Sequence, residues 1–176
     1  MSEQGARYQR STGGMVGAMI VLVLVVVGFV VVRGLFSREP DRGVTPVDYQ
    51  RLVPVARKGA DFTLLAPPKM PPGWTATTVR FTDTVPQHWH LGALTEDSNY
   101  VGLEQGRTST RDMVAQYVDA KAERHGTVQV AGEPWTTWTD PGGDLALVRR
   151  AGTTTTLVVG HHVARRDLVV YAASLR

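Results

Sequence analysis

The chain of 176 residues contains no cysteine. That absence removes disulfide scaffolds, thiolate metal sites, iron–sulfur clusters and cysteine nucleophiles together. It leaves the compartment open, because a well-packed domain outside the cytosol does without disulfides. Asparagine occurs once, at Asn99, and Tyr100 and Val101 follow it, so there is no N-glycosylation acceptor. Lysine is scarce, with 16 of the 19 basic residues being arginine. No GxSxG elbow, GxxxxGK[ST] loop or HExxH helix is present, so the usual signatures of serine hydrolases, nucleotide binders and zinc peptidases are missing.

What the chain does have is concentrated at one end. Residues 15–32 (MVGAMIVLVLVVVGFVVV) hold 16 apolar side chains, two glycines and no charge. A helix over 13–32 covers roughly the 30 Å hydrocarbon core of a bilayer, and its β-branched run is no obstacle where every backbone group must be satisfied internally. The run ends at Arg33-Gly34-Leu35-Phe36-Ser37-Arg38 without a small-x-small cleavage site. It therefore reads as an uncleaved anchor, with the bilayer as its partner. The expected organisation is a short cytoplasmic tail (1–12), a transmembrane helix (13–32), a juxtamembrane linker (33–60) and an extracytoplasmic domain (61–176). Charges flanking the span nearly balance, and the orientation with the N-terminus inside follows the usual signal-anchor arrangement. Five arginines against three acids lie in residues 1–42, so much of the net charge of +3 sits beside the bilayer. A nucleic-acid partner is not expected.

Beyond the linker the pattern is one of short strands. Residues 47–60 have some helical spacing, but Pro54 limits them to a short or broken helix. Pro72-Gly73 is a turn that delivers Trp74 into the domain. Strands are expected over 74–81, 88–95, 99–106, 127–130, 133–139, 144–150 and 153–160, with tight hairpins at Ala131-Gly132 and Ala151-Gly152. Thr108 to Arg124 reads as a helix, opened by a Ser109/Asp112 capping box and carrying Met113, Val114, Tyr117 and Val118 as its apolar stripe. A closing helix over 165–175 places Leu168, Val169, Ala172 and Leu175 on one face. The expected fold is α+β: an antiparallel sheet of about six to seven strands covered by one or two helices.

These residues resemble an actinobacterial family of single-pass membrane proteins known as domain of unknown function 4245. The resemblance rests on the apolar segment, TPVDY (45–49), FTLLAPPKMPPGW (62–74), VAGEPW (130–135), LALVRRAGTTTTLVVG (145–160) and YAASL (171–175). It implies an anchored domain on the outer face of the cytoplasmic membrane, and it carries over no catalytic residue.

His88-Trp89-His90 is the sharpest local feature. In a strand, positions i and i+2 share a face, so both imidazoles can approach one metal ion or one ligand. No third or fourth ligand is evident, and neither a metal nor a cofactor is expected. Trp135 and Trp138, three apart in a strand, point to opposite faces, which makes them candidates for anchoring a ligand and, more simply, packing aromatics. Glu96, Asp97 and Glu104 are the carboxylates that could form an acid/base pair, although Glu96 and Asp97 sit in an apparent turn where acids are routine. No catalytic residue stands out, and the balance leans against an enzyme. The reading is a membrane-anchored extracytoplasmic domain with a binding, sensing or accessory role in the cell envelope, with an envelope protein partner of unknown identity. The alternative is an envelope hydrolase or metal-binding protein using His88 and His90.

Overall fold

A computed structural model of the chain describes residues 45–176 together with Met19, Leu22, Val23 and Val26. Those four are helical, and the rest of the expected span 13–32, with the tail 1–12, lies outside the described residues. Among the described residues no helix is long and apolar enough to cross a membrane.

Residues from Val44 to Arg176 form one compact unit. It contains seven strands: β1 (Thr75–Thr82), β2 (His88–Leu94), β3 (Tyr100–Gly106), β4 (Glu123–Val130), β5 (Glu133–Thr139), β6 (Asp144–Ala151) and β7 (Thr154–His161). Three helices accompany them: α1 (Tyr49–Gly59), α2 (Thr110–Tyr117) and α3 (Arg165–Ser174). The strands form one antiparallel open sheet in the order β1-β2-β3-β7-β6-β5-β4. Two meanders, β1–β3 and β4–β7, are thus joined side by side where β3 meets β7. The architecture is α+β, with seven strands and one helix more than the sequence pattern implies.

Alternation along the strands sorts the side chains onto two faces. Trp89, Leu91, Val101, Leu103, Leu147 and Val158 point to one face and pack against α1 and α3, where Leu168, Tyr171 and Ala172 complete the larger core. Ala146, Val148, Leu157 and Val159 point to the other and pack against Met113 and Val114 of α2. Helix α2 has only eight residues and lies over β6 and β7. It leaves the same face of β1–β3 without a helical cover.

Two elements differ from expectation. Helix α1 runs unbroken through Pro54. An interior proline costs a backbone bond and about 3 kcal/mol. Burial of Tyr49, Val53 and Ala56 offsets it, as do hydrogen bonds from the Tyr49 hydroxyl to the Pro67 carbonyl and from Gln50 Nε2 to the Pro68 carbonyl. Residues 49–59, read as the end of the linker, are therefore part of the folded unit. Helix α2 stops at Tyr117 instead of Arg124, although its Ser109 cap forms as expected, the Ser109 hydroxyl accepting from the Asp112 N–H at 3.1 Å. After Val118 come Asp119, Ala120, Lys121, Ala122, Glu123 and Arg124, so a longer helix would have only two small apolar side chains to bury. Pairing Glu123 and Arg124 with Thr139 and Trp138 satisfies the backbone instead.

Turn chemistry follows local sequence more closely. Ala131 and Gly132 both have positive φ, 50° and 85°, between the paired residues Val130 and Glu133, as a type I′ hairpin requires. Gly160 has a different reason to be glycine. A Cβ there would lie 2.8 Å from Val163 Cβ and 2.9 Å from Leu168 Cδ2, so a bare backbone lets α3 seat on β7. Replacing Gly160 with alanine is expected to destabilise the unit by about 1–3 kcal/mol through overpacking. Urea denaturation measures this, and an unchanged midpoint would refute the close seating.

Candidate functional site

The uncovered half-face of β1–β3 is polar, and its composition follows from strand register. Cross-strand partners share a face. Arg80 pairs with His90, and His90 in turn with Glu104, so these three form a row across the sheet. Thr82, His88 and Gly106 form the next row, and Thr78, Gly92 and Gly102 the row on the other side. Three glycines on this surface leave room for neighbouring side chains to lie over the sheet, Tyr100 over Gly92 and Gly102 and His88 beside Gly106. Arg80, Thr82, His88, His90, Tyr100, Glu104, Gln116 and Tyr117 are among the residues lining the resulting pocket of about 420 Å³. The hydrogen bonds of Thr155 Oγ1 and Arg150 Nη1 to the Thr108 carbonyl pin the start of α2 to the sheet and hold that wall in place.

Glu104 is the centre of this arrangement, buried to 2% exposure. Both of its oxygens are engaged: Oε2 with His88 Nε2 at 2.7 Å and Oε1 with His90 Nδ1 at 2.6 Å. A carboxylate only accepts, so each contact places a proton on the nitrogen that faces it. His88 Nδ1 and His90 Nε2 are left free for other partners. The Tyr117 hydroxyl lies 3.1 Å from His88 Nε2, and its ring stacks on the His88 imidazole with centroids 5.2 Å apart. Gln116 Nε2 donates to the same hydroxyl. Burying a carboxylate is costly unless it is hydrogen-bonded, and here two imidazole N–H groups donate to it.

Tyr100 closes the site on the side away from α2. It lies across Gly92 and Gly102; a Cβ at Gly92 would sit 3.2 Å from the Tyr100 hydroxyl and 3.4 Å from His90 Nε2. The hydroxyl and the free imidazole nitrogen thus converge above one glycine. Burial, reinforced by the negative charge of Glu104 and opposed by Arg80, pushes the Tyr100 phenol up to about 12. Burial and Glu104 push Tyr117 up as well. Both therefore remain hydrogen-bond donors throughout the ordinary pH range.

Among the sequence-derived candidates, His88 and His90 do share a face and one partner, but that partner is a carboxylate. Among the described residues no group of three His, Asp or Glu side chains is placed to hold a metal ion. Trp135 packs in the larger core at 3% exposure, with no surface left for a ligand. Trp138 is half-buried against the smaller core, and its indole N–H donates to Thr136 Oγ1 at 3.0 Å. Neither reaches the pocket. Glu96 and Asp97 lie in the β2–β3 turn, apart from Glu104. The partnership of Glu104 with the histidines was not evident in the sequence. The period-two spacing of Tyr100 and Glu104 within one strand places them on one face, but the register against β2 had no local marker.

Residues 7–175 match the family described as "Protein of unknown function (DUF4245)". No curated protein matches the chain.

Two measurements check this site. Replacing Glu104 with leucine leaves two imidazole donors without their acceptor, and is expected to cost about 3–5 kcal/mol of stability. Glu104→Gln keeps one acceptor and is expected to cost less; equal losses for the two would refute the two-imidazole bridge. Because the Tyr100 phenol holds its proton longer in the folded state than when unfolded, its contribution to stability is complete below pH 10. It is lost as pH rises towards about 12. Tyr100→Phe is expected to flatten that alkaline decline in denaturation midpoints.

Proposed function

We propose that this chain, which belongs to the DUF4245 family, is a membrane-anchored extracytoplasmic domain that binds a small polar ligand in the cell envelope. The observation that carries the binding reading is the pocket over β1–β3, whose polar groups are held in place before any ligand arrives. Glu104 orients both imidazoles, Tyr117 stacks on one of them, and the strands fix Arg80 beside the other. Preorganisation of this kind lowers the ordering cost of binding. The pocket volume falls in the range of small-molecule sites. The anchoring reading rests on the uncharged apolar run 15–32 and on the arginine-bearing tail before it.

One observation favours a second reading, an envelope hydrolase using His88 and His90. A carboxylate that orients an imidazole is also how a general base is held. The pocket offers no serine beside that imidazole, only the threonines Thr82 and Thr108, so such a base would act on water.

Protease treatment of intact cells tests the location. Cleavage within residues 45–176 without lysis is expected, and protection until lysis would refute the extracytoplasmic placement. Incubating the purified full chain with small molecules extracted from its native envelope tests the activity. Recovery of a bound, unaltered compound supports the binding reading, whereas conversion of that compound would replace it with the hydrolytic one.

A further inference from the structure

The charge inventory of the pocket narrows the ligand's chemistry, taking the binding reading as its starting point. Among the described residues, Glu104 is the only acidic one lining the pocket. Its two oxygens are already occupied by His88 and His90, and it is almost wholly buried. A cation entering the pocket would find no free carboxylate oxygen. Arg80, by contrast, is exposed at the pocket wall and has no carboxylate partner among the described residues. Its guanidinium remains charged at any pH and presents several donors in one plane. The Tyr100 and Tyr117 hydroxyls are close enough to feel its charge. An arginine without a carboxylate partner, sharing a pocket with two phenolic donors and with a carboxylate whose two oxygens each already accept from an imidazole, is suited to hold an anionic group.

We propose that this pocket captures an oxyanion, a phosphate or carboxylate group, on Arg80 and the Tyr100 hydroxyl, with the Glu104-ordered His90 imidazole beside it. Arg80 supplies the charge and a fork of N–H donors that fits two anion oxygens at once. Tyr100, lying over Gly92 and Gly102, supplies an O–H directed to the same region as His90 Nε2. Glu104 acts as a positioning residue: it holds His90 and touches no ligand. A volume of about 420 Å³ exceeds what one oxyanion fills, so the group belongs to a larger molecule. A soluble phosphomonoester and an anionic lipid headgroup share this chemistry.

The test uses the full chain in non-ionic detergent, with histidine side chains labelled for NMR. It is titrated separately with a sugar phosphate, the same sugar without phosphate, a dicarboxylate, and vesicles with or without anionic phospholipid. Saturable shifts of the His90 signals are expected with at least one oxyanion probe and none with the uncharged sugar. Arg80→Gln, an exposed substitution that spares the core, is expected to weaken that binding about tenfold or more. Arg149→Gln, on a strand outside the pocket, is expected to leave it unchanged. Response to the soluble anions identifies the source as a free metabolite; response only to anionic vesicles, lost in Arg80→Gln, identifies it as a headgroup. Equal binding by Arg80→Gln, or no response to any anion, overturns the proposal. Binding of the uncharged sugar alone also overturns it while leaving the ligand-binding reading intact.

Discussion

The pairing of β3 with β7 is the contact on which the rest of the unit depends. It joins two meanders that are each local in sequence, aligning Val101 with Gly160 and Gly106 with Thr155. Neither meander closes a core alone. The larger core draws Leu103 and Trp89 from one and Leu147 and Val158 from the other, beneath α1 and α3. The same pairing sets Glu104 beside Leu157, at the boundary between an apolar half-face roofed by α2 and a polar half-face without a roof. This position explains how a carboxylate comes to be nearly buried at the rim of an open pocket: apolar packing excludes water on one side, and two imidazole N–H groups donate to it on the other.

The shortness of α2 turns that boundary into a site. A helix continued to Arg124, as its sequence suggests, would add only Ala120 and Ala122 as apolar side chains to bury. Its actual end at Tyr117 places a phenol against His88 and Gln116 beside it, so the helix terminus becomes a pocket wall. Glycines do the complementary work on the sheet. Gly92 and Gly102 carry no side chain where their neighbours would, which lets Tyr100 lie flat across the sheet. A binding surface is thus made from the absence of side chains on one row and the presence of charged and aromatic ones on the next.

Much of the fold was legible in the residue pattern. Short runs bounded by turn residues marked the seven strands, with β4 seen only over 127–130, Ala131-Gly132 marked a hairpin, and Ser109 with Asp112 marked a helix start, because each depends on neighbours within a few residues. Helix α1 was harder to see. Pro54 argues against a helix locally, and only distant carbonyls at Pro67 and Pro68, with the core beneath Tyr49, outweigh it. Trp135 and Trp138 showed the converse difficulty. Their spacing correctly sent them to opposite faces, yet nothing local told which faces were covered, and both turned out to be packed within the domain.

The sequence by itself determined an uncharged apolar segment long enough for a bilayer, an antiparallel α+β domain without cysteine chemistry, and two histidines on one strand face. Each follows from hydrophobic run length or a period of two, which are properties of adjacent residues. Only the tertiary structure decided that those histidines share Glu104, that Arg80 stands in the same row, and that α2 leaves them open to solvent. Strand register and helix seating depend on burying apolar surface across the whole sheet, and no short stretch of residues contains that information.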